Sequence, residues 1–224
     1  HYIAICYIKM NRLNEALSFL QKSLQTYIDI NGEEQAQVAD IYKDIGECYK
    51  LQGNYELGMA YIEKSLNLSI LVHKGNYTEM ASAYNNLGVI HYQNHHYQKA
   101  IDCLERSLQL KLEEIGLDDK HPDVANAYNN LGACYMAKGS YREAVIYHQK
   151  ALMVKLQTVD ENHVEVAALY ENIGNCYVHN GSYDTALYYL QKTLEIKEQT
   201  YGKLHTDVAK IYDYLGACYI KNGQ

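Results

Sequence analysis

Six cysteines and ten histidines are the residues here best equipped for metal, redox or nucleophilic work. Their spacing argues against all three. Cys6, Cys48, Cys134, Cys176 and Cys218 share one slot of a recurring pattern, with one place skipped, and there is no Cys-x-x-Cys pair. Stacked helices lie about 8–10 Å apart, beyond the ~7 Å between Cα atoms that a disulfide bridges. These thiols therefore read as small buried hydrophobes, and free thiols point to a reducing, cytoplasmic location. His91 and His95 stand four apart and could share a metal, but each replaces a residue of a recurring pattern, the first a tyrosine and the second a glycine. No phosphate-cradling glycine loop, nucleophile elbow or HExxH is present. Catalysis, cofactors and metals are not expected. The sequons at Asn67, Asn76 and Asn180 match a short pattern that chance supplies. The amides are more promising. Asn86, Asn130 and Asn172 each stand two before a recurring glycine, and an asparagine offers both a donor and an acceptor to a peptide backbone.

The elements that would position these amides follow from a period. Tyr-x-x-(Leu/Ile)-Gly occurs five times, ending on Gly46, Gly88, Gly132, Gly174 and Gly216. The step from one glycine to the next is constant except between Gly88 and Gly132, where it is two longer. One further step back from Gly46 lies Ala4, a small residue in the same slot. Tyrosines stand four before the glycine (Tyr42, Tyr84, Tyr128, Tyr170, Tyr212), and Val38, Met80, Val124, Val166 and Val208 stand eight before it. These offsets trace one face of a helix A. Gly53, Gly139, Gly181 and Gly223 then mark a left-handed turn. Helix B opens at Tyr55, Tyr97, Tyr141 and Tyr183, with small residues Ala16, Gly58, Ala100, Ala144 and Ala186 twelve after the key glycine. Glycine or alanine in both helices predicts close approach, with tyrosines filling the space between hairpins. His121, His163 and His205 recur in the links and are expected to cap or pack at helix starts. The surplus of the one longer step is assigned to the loop 116–120.

Composition agrees with a helical array. The 224 residues include one proline and 14 glycines, are 48% hydrophobic, and carry a net charge of −7. That charge disfavours nucleic acid, and no stretch approaches the ~20 apolar residues of a membrane span. A single array is expected: a partial first repeat over 1–34, full repeats over 35–76, 77–120, 121–162 and 163–204, and a partial sixth over 205–224. The absence of an initiating methionine suggests a piece of a longer chain. Uncapped ends, with Tyr212, Leu215 and Tyr219 left partly uncovered, are expected to promote self-association.

The Tyr-x-x-Leu-Gly-x-x-Tyr…Gly-x-Tyr-x-x-Ala signature resembles the tetratricopeptide repeat, each unit lengthened beyond the usual ~34 residues, and is similar to the kinesin light chain and nephrocystin-type arrays. The resemblance implies an all-α, right-handed superhelical solenoid of antiparallel helix hairpins whose concave groove, lined by the A helices, receives an extended peptide. Carried onto this sequence, the groove positions are Asn85, Asn86 and Gln93, then Asn126, Asn129 and Asn130, then Glu171, Asn172, Asn175 and His179. A chaperone-type carboxylate clamp needs cationic groups around the asparagine. Lys9, Lys43, Lys210 and Lys221 lie toward the ends, and Asp44, Glu47 and Glu171 carry the opposite sign. A neutral to mildly basic protein segment is the expected partner, and a scaffold or adaptor the expected function. Two alternatives stand beside it: a structural spacer or oligomerisation segment, and the regulatory or targeting region of a larger enzyme.

Overall fold

The computed structural model describes residues 1–114, 116–117 and 121–223. They fall into two compact units, His1–Asn94 and His95–Gln224. The first unit holds α1 (Tyr2–Lys9), α2 (Leu13–Asn31), α3 (Ala36–Leu51), α4 (Tyr55–Val72) and α5 (Tyr77–Gln93). The second holds α6 (Tyr97–Gln109), α7 (Pro122–Lys138), α8 (Tyr141–Lys155), α9 (Val164–His179), α10 (Tyr183–Tyr201) and α11 (Thr206–Lys221). Among the described residues there is no strand, so the fold is all-α.

Helix B begins at Tyr55, Tyr97, Tyr141 and Tyr183, as the period predicts. The turn before it needs one residue with positive φ. The slot seven after the key position supplies it as Asn11 (57°), Gly53 (81°), His95 (60°), Gly139 (88°), Gly181 (78°) and Gly223 (75°). Two of the six are not glycine, and both belong to types that tolerate this region better than most. The link histidines do cap. Nδ1 of His121, His163 and His205 accepts from the backbone N–H two positions on, at 3.2, 3.3 and 3.1 Å. Each ring thereby satisfies one orphan donor of a helix start.

Within the first unit, Ala4, Ala16, Leu20, Ile41, Ile45 and Cys48 form one apolar cluster. Within the second, Ala151, Val166, Ala167, Ile173 and Ile196 form a corresponding one. Each fully buried leucine or isoleucine in such a cluster contributes about 1.5–3 kcal/mol, which no hairpin collects alone. Pairs of tyrosines recur against these clusters and against a third, formed by Ala100, Ile101, Leu104, Leu131 and Cys134. Tyr49 stacks on Tyr61 at 5.6 Å, Tyr135 on Tyr147 at 5.3 Å, and Tyr177 on Tyr189 at 5.9 Å. Other tyrosine hydroxyls reach the edge: Tyr42 donates to Glu33 (2.7 Å) and Tyr170 to Glu161 (3.1 Å). Burial first, and the neighbouring carboxylate second, push both phenols up to about 12.

Three expectations need correction. Cys6 is exposed and Cys103 half-buried, whereas Cys48, Cys134, Cys176 and Cys218 are buried. Cys6 lies on α1, a helix whose one buried side chain is Ala4. Leu215 is buried, not uncovered, because Ala186, Leu187 and Leu190 of α10 close over it; Tyr212 and Tyr219 do stay exposed. Finally, α6 continues into a π-helical turn, Leu110–Glu114. Such a turn takes up an extra residue, so part of the longer step is absorbed inside the helix. Of the loop 116–120, residues 118–120 lie outside the described ones.

Candidate functional site

In the second unit, α7 and α9 stand side by side and bring helix-A amides together. Oδ1 of Asn129 accepts from Nδ2 of Asn172 at 3.3 Å. The same oxygen faces Nδ1 of His148 at 3.0 Å. With Asn126, these two asparagines line a cavity of about 210 Å³. His148 comes from α8 and is fully buried, lying where the missing side chain of Gly132 leaves room for its ring. Burial pushes the imidazole down to about 4, so at neutral pH it is uncharged and Nδ1–H is the donor to Asn129. Its Nε2 is buried with no hydrogen-bond partner among the described residues.

Cations reach this region from the B helices. Lys155, at the end of α8, lines the cavity together with Glu165 and pairs with it at 2.8 Å. This ion pair holds the Glu165 carboxyl below its usual range. Lys197, 8% exposed, pairs with Glu171 at 2.6 Å. Lys111, Lys155 and Lys197 share one slot near the end of helix B in three successive repeats. Lys111 donates to the backbone carbonyl of Asp123 at 3.3 Å. Reading only helix A for groove residues misses this row and His148 alike.

The first unit has its own cavity, about 570 Å³, lined among others by Asp40, Lys43, Glu47, Asn86 and Gln93. Glu47 pairs with Lys50 at 3.1 Å. Asp44 binds the ring of His1 at 2.6 Å, and burial raises its carboxyl.

Of the ten groove positions, then, Asn86 and Gln93 line one cavity and Asn126, Asn129 and Asn172 the other. Asn85, Asn130 and Asn175 are half-buried on α5, α7 and α9 and line neither. Glu171 is committed to Lys197. His179 is exposed and stacks on Tyr141, with ring centroids 4.9 Å apart. No helix among the described residues is long and apolar enough to cross a membrane.

The sequence profile described as Tetratricopeptide repeat matches residues 1–70, 45–113, 79–157 and 165–224. The chain belongs to the tetratricopeptide repeat family, a class of scaffold-type, typically non-enzymatic protein-interaction modules. No curated protein matches it. Among solved structures it is similar to the nearly identical TPR-like repeats of a kinesin-light-chain candidate from Podosopora anserina, with a TM-score of 0.68 and 18% identity over 89% of this chain and 93% of that one. It is also similar to BtubC (BKLC) from P. vanneervenii, with a TM-score of 0.66 and 20% identity over 89% and 78%. For MamA the TM-score is 0.58 and the identity 22%, over 88% and 96%. At these identities the likeness establishes the fold alone.

Proposed function

We propose that this chain is a scaffold or adaptor that binds an extended, uncharged segment of a partner protein along its A helices. The observation that carries this reading is the second unit's cavity. Three asparagines line it, while the lysine and the glutamate beside them neutralise each other. A surface of that kind answers backbone N–H and C=O groups and offers no net charge to a terminal carboxylate or an acidic motif. The pairing of Glu171 with Lys197 and of Glu47 with Lys50 favours the neutral end of the neutral to mildly basic range expected of the partner. The buried, unpaired thiols fit a reducing compartment such as the cytoplasm. The fold shared with kinesin-light-chain-type repeats is consistent with cargo or partner recognition.

The test is a peptide-array screen of the chain and of a variant with Asn126, Asn129 and Asn172 all changed to alanine. Loss of binding with an unchanged helical circular dichroism spectrum supports the groove. Equal binding by both proteins moves the interaction off the A helices and favours a spacer role.

A further inference from the structure

We propose that the second unit's cavity is a socket for a primary carboxamide, the side chain of a glutamine or asparagine carried by the bound segment. This rests on the peptide-binding reading above and adds which side chain the groove selects.

The argument begins with how the two amides are spent. Asn129 Oδ1 is engaged twice, by His148 and by Asn172. Among the described residues, no hydrogen bond engages Asn129 Nδ2 or Asn172 Oδ1. The two amides therefore keep an unengaged NH₂ group on Asn129 and an unengaged oxygen on Asn172, set apart by a single amide–amide hydrogen bond. Turning both amides over, with His148 in its other tautomer, exchanges the two roles and again leaves one NH₂ and one oxygen unengaged. His148 holds the arrangement from beneath: its ring is buried and cannot swing to solvent, so Asn129 is oriented before any ligand arrives.

A carbonyl and an N–H on one edge answer such a pair. A trans peptide group presents its N–H and C=O in opposite directions, so one backbone amide reaches one atom and not both. A primary carboxamide has its oxygen and its syn N–H side by side and reaches both. A carboxylate brings two acceptors and no donor, and ammonium or guanidinium brings donors only; each leaves one of the two amide groups unanswered by the guest. The Lys155–Glu165 pair cancels the field that would favour a charged guest. Space agrees as well. Ala125, Ala151 and Ala168 contribute small side chains to the lining, and about 210 Å³ exceeds several times the ~30 Å³ a water occupies in the liquid.

The experiment selects random dodecapeptides displayed on phage against the full chain and measures the chosen peptides by calorimetry. Glutamine or asparagine fixed at one position is expected. Replacing it by glutamate or leucine in the peptide should weaken binding roughly tenfold or more, the scale of one buried hydrogen bond lost. In the wild-type chain, the side-chain NH₂ resonances of Asn129 and Asn172 should shift with the carboxamide peptide and stay still with the leucine one. Peptides that bind without a carboxamide consensus overturn the socket and leave the groove standing. Stationary Asn129 and Asn172 signals also overturn the socket. Selection of no peptide at all overturns the peptide-binding reading itself.

Discussion

A fully buried histidine in an otherwise apolar slot is costly, and at His148 the cost has a direction. At the same place in helix B the other repeats put Leu20, Ile62, Leu104 and Leu190. His148 alone breaks that row, with one ring nitrogen bonded to Asn129 and the other without a partner among the described residues. His148→Leu restores the apolar residue and should raise stability by about 1 kcal/mol at neutral pH, since an unsatisfied buried nitrogen is removed. The same change frees Asn129, so partner affinity should fall while the melting temperature rises. The pH dependence follows from the folded value of about 4 against an unfolded value of about 6.5. Above ~6.5 both states hold the ring neutral and nothing is lost. As pH falls toward 4 the unfolded chain takes up a proton the folded one refuses, and stability drops by about 2 kcal/mol by pH 5. Melting curves of wild type and His148→Leu at pH 7 and pH 5 check this; gaps equal at the two values would refute it. The residue was within reach of the sequence, because the break in the row at this offset is visible there. Its meaning was not, since only folding sets an α8 side chain under the α7 amides. Lys155 and Lys197 escaped a reading of helix A for the same reason: their partners Glu165 and Glu171 lie on α9.

At the scale of the helix, the recurring glycine is a packing device, and its strictness varies along the chain. A Cβ on Gly46 would lie 2.8 Å from the Gly58 carbonyl oxygen and 2.6 Å from Ile62 Cγ1. Backbone stands on the far side, so α3 and α4 must move apart. At Gly216 an added Cβ meets nothing within 4 Å. Gly46→Ala should therefore destabilise the chain by roughly 1–3 kcal/mol. Gly216→Ala should be neutral or stabilise it by up to about 1 kcal/mol, the ordinary gain of alanine over glycine in a helix. Urea unfolding of the two variants checks the contrast; equal losses would mean that the slot matters for reasons other than approach. Elements were the most legible layer. The tyrosines that open helix B and the positive-φ slot before it follow from counting one period, because each is dictated by local geometry and repeated. The π-helical turn at Leu110–Glu114 was not legible, since an extra residue can be absorbed in a helix or in a loop without changing the count.

For the molecule as a whole, the net charge of −7 describes the surface better than the site. Lys155–Glu165 and Lys197–Glu171 close at 2.8 and 2.6 Å, so partner binding should draw little on long-range attraction. Raising salt from about 0.1 to 0.5 M should change the dissociation constant of a bound peptide less than about threefold; a tenfold loss would restore a charged ligand. The buried thiols carry a consequence of another kind. Cys48, Cys134, Cys176 and Cys218 each sit in a different helix A, and burial lifts the first three to about 11, so each stays inert until its own hairpin opens. The chain thus comes with a set of internal clocks, one to a turn of the array. Under native conditions an alkylating reagent should mark Cys6 at once and the buried four only as fast as their surroundings breathe. Four distinct labelling rates would describe hairpins that open separately, and one shared rate a structure that lets go all together.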